Sequence, residues 1–175
     1  MNNSEKTELK NFVIRFANED DLSLILYFIK QLADYEKRSH EVVATEADIK
    51  DNLFVHKFAE VIISEYKGKP VGFALFFHNF STFLGKPGIY IEDLYVNPEM
   101  RGRGIGTLML SFLAKLTLER KCSRLEWTVL NWNEPSIRFY RKLGAKPKDE
   151  WILYKISGEE LKNLSAKKFY KSQQL

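Results

Sequence analysis

A chain of 175 residues, 45% hydrophobic and 29% charged, has the size and make-up of one soluble globular domain with one core. Its net charge of +4 comes from 27 Lys and Arg scattered among 23 acids, which excludes the basic stripe of a nucleic-acid-binding protein but suits attraction of an anionic ligand. No apolar run is long enough to span a bilayer, residues 1–10 are polar rather than signal-like, and the single Cys122 excludes an internal disulfide and fits a reducing cytoplasm.

Residues 1–10 are expected to be flexible, and alternation over Phe12 to Phe16 predicts a first strand. Asn18, followed by Glu19, Asp20 and Asp21, caps a helix whose core stripe is Leu22, Ile25, Leu26, Ile29 and Ala33. Leu24, Tyr27 and Phe28 form a second apolar strip on it, read as more core, with a subunit or substrate contact as the alternative. A polar loop from Glu36 to Glu41 follows, and Thr45 with Asp48 opens a short second helix to about Leu53. Ala59 to Tyr66 and Val71 to His78 read as a hairpin turning at Lys67-Gly68-Lys69-Pro70. Phe80 to Gly88 reads as a loop and Ile89 to Val96 as the central strand. A helix runs from Ile105 to about Lys121, with Ile105, Leu108, Met109, Phe112 and Leu116 on one face. Arg124 to Leu130 is then a strand parallel to the central one. Glu134-Pro135 starts a helix that closes at Gly144. Trp151 to Ile156 is a last strand, Ser157 and Glu160 form a capping box, and residues 166–175 are expected to fray. The order β-α-α-β-β-β-α-β-α-β predicts an α/β fold: a single domain, residues 1–175, with a central mixed sheet flanked by helices.

Between the central strand and the helix lies Arg101-Gly102-Arg103-Gly104-Ile105-Gly106. Asn97-Pro98 stops the strand, and the glycines let the backbone approach a ligand. The free N–H groups and dipole of the helix start favour an anion, and Arg101 and Arg103 add cations, so the loop suits a phosphate or pyrophosphate. An ATP-type P-loop needs Lys and then Ser or Thr after its last glycine, where Thr107-Leu108 stands; the dinucleotide fingerprint needs a glycine at Thr107. Both fail. Within the strand before the loop, Glu92-Asp93 sets two adjacent carboxylates in an apolar run, which is costly unless they are paired or used.

The Arg-x-x-Gly-x-Gly loop after an acidic strand resembles the acyl-CoA pyrophosphate loop of the GCN5-related N-acetyltransferase (GNAT) superfamily. The segment Asn131 to Ala145, with Asn133, Phe139-Tyr140 and Gly144-Ala145, resembles that superfamily's other shared stretch. Tyr90 to Val96, Trp132 to Ile137 and Phe139 to Ala145 further resemble the diamine and polyamine N-acetyltransferases, a group that includes the spermidine/spermine and thialysine enzymes. The resemblance implies acetyl-CoA as cosubstrate, no metal, a small-molecule amine substrate, a homodimer, and no nucleic-acid or membrane partner. It also implies roles for the matched positions. Glu92 would be the general base, through a water, and Asp93 would hold the ammonium. Tyr140 would protonate the departing thiolate while also touching the cofactor. Backbone groups of Leu94, Tyr95 and Val96 would bind the thioester carbonyl and pantetheine, and Arg101, Gly102, Arg103, Gly104, Ile105, Gly106 and Thr107 the pyrophosphate. Asn133 and Ser136 would complete the cofactor site. Polyamine enzymes of this group carry an acid and a tryptophan in the loop before the central strand, where this chain has Ser81 and Phe83. The aromatic is kept and the acid lost, so Phe83 stays a substrate contact while Asp34 and Glu36 are left to receive a distal ammonium. A short amine or lysine-like amino acid is thereby favoured over a long polyamine. The alternatives are acetylation of a protein N-terminus or lysine, and a non-catalytic acyl-CoA-binding module.

Overall fold

In the computed structural model, which describes residues 5–6 and 9–167, six strands make one mixed sheet in chain order. They are β1 (Glu5–Lys6), β2 (Phe12–Phe16), β3 (Glu60–Tyr66), β4 (Lys69–Ser81), β5 (Lys86–Val96) and β6 (Leu125–Trp127). Strands β1 to β5 pair antiparallel, and β5 and β6, joined through a helix, pair parallel. The chain divides between Asn133 and Glu134 into two compact units.

In the first unit, side-chain alternation sorts the sheet into two faces. Val61, Ile63, Phe73 and Tyr95 lie on one face, packed with Ile25 and Phe28 of α1 (Leu22–Tyr35) and Ile49 of α2 (Glu46–Ile49). The Phe28 ring stacks on Phe73 at 5.4 Å, so this member of the second apolar strip is core, while neighbouring Tyr27 is half exposed. The other face meets α3 (Ile105–Glu119): Phe112 touches Phe16, and Arg120, just past the helix, pairs with Glu60 and lies over the Phe76 ring. The buried line of α3 runs through Ile105, Met109, Leu113 and Thr117, with Leu110 beside it. Leu108, Phe112 and Leu116 flank that line half-buried, a small rotation from the face read in the sequence.

Asn18 and Asp21 form a capping box around a short 3-10 turn (Glu19–Asp21) that leads into α1, and Arg15 holds the Asp21 carboxylate through two 2.7 Å bonds. Thr45 and Asp48 likewise cap α2, which widens into a π-helical stretch over Lys50–Val55. The Thr45 cap stands as the sequence predicts, whereas Asn18 caps the 3-10 turn and α1 itself, with Asp21 at its N-cap, begins without a side-chain cap. Other expectations are corrected. Phe80 to Gly88 is no open loop: β4 and β5 extend into it until only residues 82–85 turn. The strand expected over Arg124 to Leu130 is cut to three residues, since β5 offers it partners only at Ile89, Tyr90 and Ile91.

The second unit holds α4 (Glu134–Lys142), closed by left-handed Gly144, and α5 (Gly158–Ser165). Trp151 to Ile156 forms no strand among the described residues; no strand pairs with it, and its side chains are exposed, Leu153 at 85%. Ser157 makes no side-chain cap bond; Gly158 is left-handed at the first helical position, outside the geometry that a capping box needs. Of the ends expected to be flexible, Glu5–Lys6 pairs as a strand; residues 1–4, 7–8 and 168–175 lie outside the described residues. No helix among the described residues is long and apolar enough to cross a membrane.

Candidate active site

The site is built along the second half of β5. The Asn97 N–H donates to the Val71 carbonyl at 2.9 Å, so in an antiparallel pair the hydrogen-bonding groups of Asn97, Tyr95 and Asp93 aim at β4. Those of Leu94 and Val96 then aim at the opposite edge. There β6 pairs with Ile89, Tyr90 and Ile91 and goes no further, so among the described residues no strand covers the edge from Glu92 to Val96. Of the three residues expected to offer backbone groups, Leu94 and the N–H of Val96 can do so, the Val96 carbonyl accepting from Arg101, whereas Tyr95 is turned to β4 and its ring is buried in the core. An extended amide-bearing chain could lie along this edge as a strand would.

The carboxylates owe their placement to an irregularity that the sequence does not announce. Leu75 pairs with Asp93 and the next residue, Phe76, pairs with Ile91, so Glu92 is an extra residue, a β-bulge. The bulge reverses the alternation: Ile91 faces the α3 side with Phe76, and Asp93 the α1 side with Leu75. Glu92 is exposed, not buried as its apolar neighbours suggest. Asp93 is half-buried, and burial, then the charges of Glu92 and Glu36, push its carboxyl from 3.8 up to about 6. Glu36, just past the end of α1, is raised too, mainly by burial, which Arg38 opposes and Glu41 reinforces. The fold therefore brings Glu92, Asp93 and Glu36 into one electrostatic cluster, with Asp34 exposed nearby on α1. A site that destabilises its own ionised carboxylates is one that a cation relieves.

Beyond β5, the 3-10 turn Pro98–Met100 leads to the glycine loop. Gly102 and Gly104 have φ of +74° and +83°, and the space where a Cβ would stand is open at both. Gly104 is the N-cap of α3 and no side chain caps that end, so the N–H groups of Ile105, Gly106 and Thr107 begin the helix without one. This backbone fits a pyrophosphate. Arg103 is exposed beside it. Arg101 is exposed as well, with part of its side chain turned along β5. Its Nε donates to the Val96 carbonyl at 2.9 Å, and its guanidinium lies 4.7 Å from the Tyr35 ring centre and 5.5 Å from that of Tyr95.

Phe83 sits at the hairpin tip, 94% exposed. From Lys86 to Asp93 the strand spans more than about 20 Å, so Phe83 does not reach the carboxylates of its own chain. Ser81 is buried and its Oγ accepts from the Leu84 N–H, closing the tip. Asn133 is buried, and its Oδ1 accepts from the Tyr35 hydroxyl at 3.0 Å. Ser136 and Tyr140 lie half-buried on α4 in the second unit, the Tyr140 ring tilted against Phe139 at 5.3 Å. Sequence reasoning missed Tyr35 altogether; its one signal was its place between the core stripe of α1 and the polar loop.

Residues 24–145 match the model of the acetyltransferase (GNAT) family. The chain belongs to the GNAT family. A GNAT enzyme is an acetyl-CoA-dependent N-acetyltransferase, and the uncapped α3 start and the open edge of β5 suit that cosubstrate. Among GNAT relatives, thialysine N-epsilon-acetyltransferase of Bos taurus is 36% identical over 168 residues, covering 89% of this chain and 98% of the relative. The L-ornithine N5-acetyltransferase NATA1 of Arabidopsis thaliana is 29% identical, covering 85% of each. Among solved structures, an integron cassette protein from the mobile metagenome of V. cholerae superposes with a TM-score of 0.76 at 28% identity, covering 90% of this chain and 99% of that one. The mixed sheet with flanking helices is thus the GNAT fold.

Proposed function

We propose that this enzyme acetylates a primary amine of a small molecule, a diamine, polyamine or lysine-like amino acid, by direct attack on acetyl-CoA. The observation that carries the proposal is the second half of β5, where a carboxylate cluster adjoins an uncovered strand edge that leads to an anion-binding loop. Two relatives named for thialysine and L-ornithine support a lysine-like amino acid over a long polyamine, as does Ser81 in place of an acid.

An alkylamine with a pKa near ~10.4 costs about 4–5 kcal/mol to deprotonate at neutral pH. Asp93 and Glu36 hold the ammonium, which offsets the penalty that burial places on their charge. Exposed Glu92, in contact with solvent, takes the proton through a water. The Leu94 groups and the Val96 N–H on the open edge hold the thioester carbonyl and the pantetheine amides. Tyr140, by its place in a matched motif, gives a proton to the departing thiolate. No covalent enzyme intermediate is needed.

The enzyme acts as a homodimer in this reading, supported by the exposed apolar run Trp151 to Ile156 and by Phe83, which can serve an amine site only on a second copy. The single free thiol, Cys122, supports a cytoplasmic setting. The test is a coupled CoA-release assay against thialysine, lysine, ornithine, diamines, polyamines and a peptide N-terminus. Turnover of the peptide with none of the small amines would favour the protein-acetylating alternative. Acetyl-CoA binding with no turnover of any amine would favour the non-catalytic one.

A further inference from the structure

The exposed Arg101 of the glycine loop reaches back along β5 to Val96. It follows the 3-10 turn in extended conformation, with φ −67° and ψ 159°. Its Nε donates to the Val96 carbonyl, and its guanidinium carbon lies over the Tyr35 and Tyr95 rings. Tyr35 in turn gives its hydroxyl to buried Asn133, and Trp132 tilts against its ring at 6.1 Å. The result is a continuous chain of contacts from Val96 through Arg101 and Tyr35 to Asn133. Two of its members adjoin the carboxylates: Tyr35 immediately precedes Glu36, and Val96 stands at the end of β5, three residues after Asp93.

We propose that Arg101 and Tyr35 are positioning residues, a strut that fixes the amine-holding carboxylates of α1 and β5 relative to the open edge of β5. The proposal rests on the acetyltransferase reading above. It takes Arg101 out of the phosphate site, where its place in the loop would put it, and leaves Arg103 as that loop's cation. A guanidinium is needed because it is flat, stacks on rings and donates through Nε at the same time. An ammonium cannot do all three. Loss of the strut misaligns amine and thioester, which lowers turnover more than it weakens either substrate.

Arg101→Lys keeps a cation for phosphate but breaks the strut, so it separates the two roles. The strut predicts that Arg101→Lys and Arg101→Met both lower kcat by about 10–30-fold, while acetyl-CoA affinity by calorimetry stays within about 3-fold of wild type. Tyr35→Leu should do the same, and the Tyr35→Leu/Arg101→Met double variant should be no more than about 3-fold worse than the poorer single one. Tyr35→Phe, which keeps the ring and loses only the bond to Asn133, should fall between wild type and Tyr35→Leu. If Arg101→Met fails to fold, the Lys and Phe variants decide alone. Wild-type acetyl-CoA affinity and kcat in Arg101→Lys, with a salt-sensitive loss of affinity in Arg101→Met, would overturn the strut and return Arg101 to the phosphates. So would losses that multiply in the double variant. Calorimetry reads acetyl-CoA binding without turnover, so an inactive wild-type enzyme would count against the acetyltransferase reading and not against the strut.

Discussion

The two halves of the proposed site are made of different materials. The anion half, Gly102 to Thr107, is backbone: left-handed glycines and the uncapped N–H groups of α3. The proposed amine half, Glu92, Asp93 and Glu36, is side-chain carboxylate, brought together from β5 and the end of α1, with the Asp93 and Glu36 carboxyls pushed up mainly by burial. A backbone site follows from local spacing and does not depend on its side chains. A carboxylate cluster depends on long-range register, and each member can be altered without moving the chain.

That contrast can be broken most sharply at Glu92. If it is the base, Glu92→Gln should lower kcat by ~10²–10⁴, and raising the pH should restore part of it as more amine arrives deprotonated. A pH–rate profile matching wild type in height and shape would remove Glu92 from the mechanism. Next comes the loop. Gly106→Asp places a carboxylate in the first turn of α3, where it suits the helix dipole but repels phosphate. Acetyl-CoA should bind ~10²-fold more weakly while thermal stability is kept. Unchanged affinity by calorimetry would mean that the pyrophosphate lies elsewhere.

Asp93 gives a smaller effect with a definite sign. Its carboxyl titrates near 6 folded and near 3.8 unfolded, so between those values the folded state binds more protons. Its contribution to stability therefore falls as pH rises from about 4 to about 6, by ~3 kcal/mol in all. Asp93→Asn should flatten that part of a stability–pH curve from denaturant titrations. It should also raise the amine KM by about 10-fold with less effect on kcat. In wild type, amine affinity should rise with pH through the range in which Asp93 ionises. Affinity that falls there would show that Asp93 does not hold the cation. The smallest signal is mass: light scattering should give a dimer, and a monomer across a wide concentration range would contradict the partner site inferred for Phe83.

The same contrast explains what could be read in advance. The caps at Asn18 and Thr45, the hairpin at Lys67-Gly68, the parallel step from β5 to β6 and the loop before α3 are local patterns, and the structure has each of them. The bulge at Glu92 is a mismatch between two strands, written in neither alone, so the exposure of Glu92 does not follow from its apolar neighbours. Arg101 sits in a phosphate-loop pattern, yet its side chain answers to two tyrosines far away in the sequence. Trp151 to Ile156 carries every mark of a strand except a partner, and hydrogen-bond pairing, not composition, makes a strand.

The bulge sets a rule of length on β5. One extra residue shifts the strand by half a period, so that its first part serves the α3 layer and its second part the α1 layer. An odd-numbered insertion or deletion between Ile91 and Asp93 would undo the shift and turn Asp93 away from Glu36. The turn at residues 82–85 lies outside the paired residues, which end at Ser81 and Lys86, so reach can change there while the pairing of β4 with β5 is kept. The carboxylates of β5 can be changed by substitution but not by sliding.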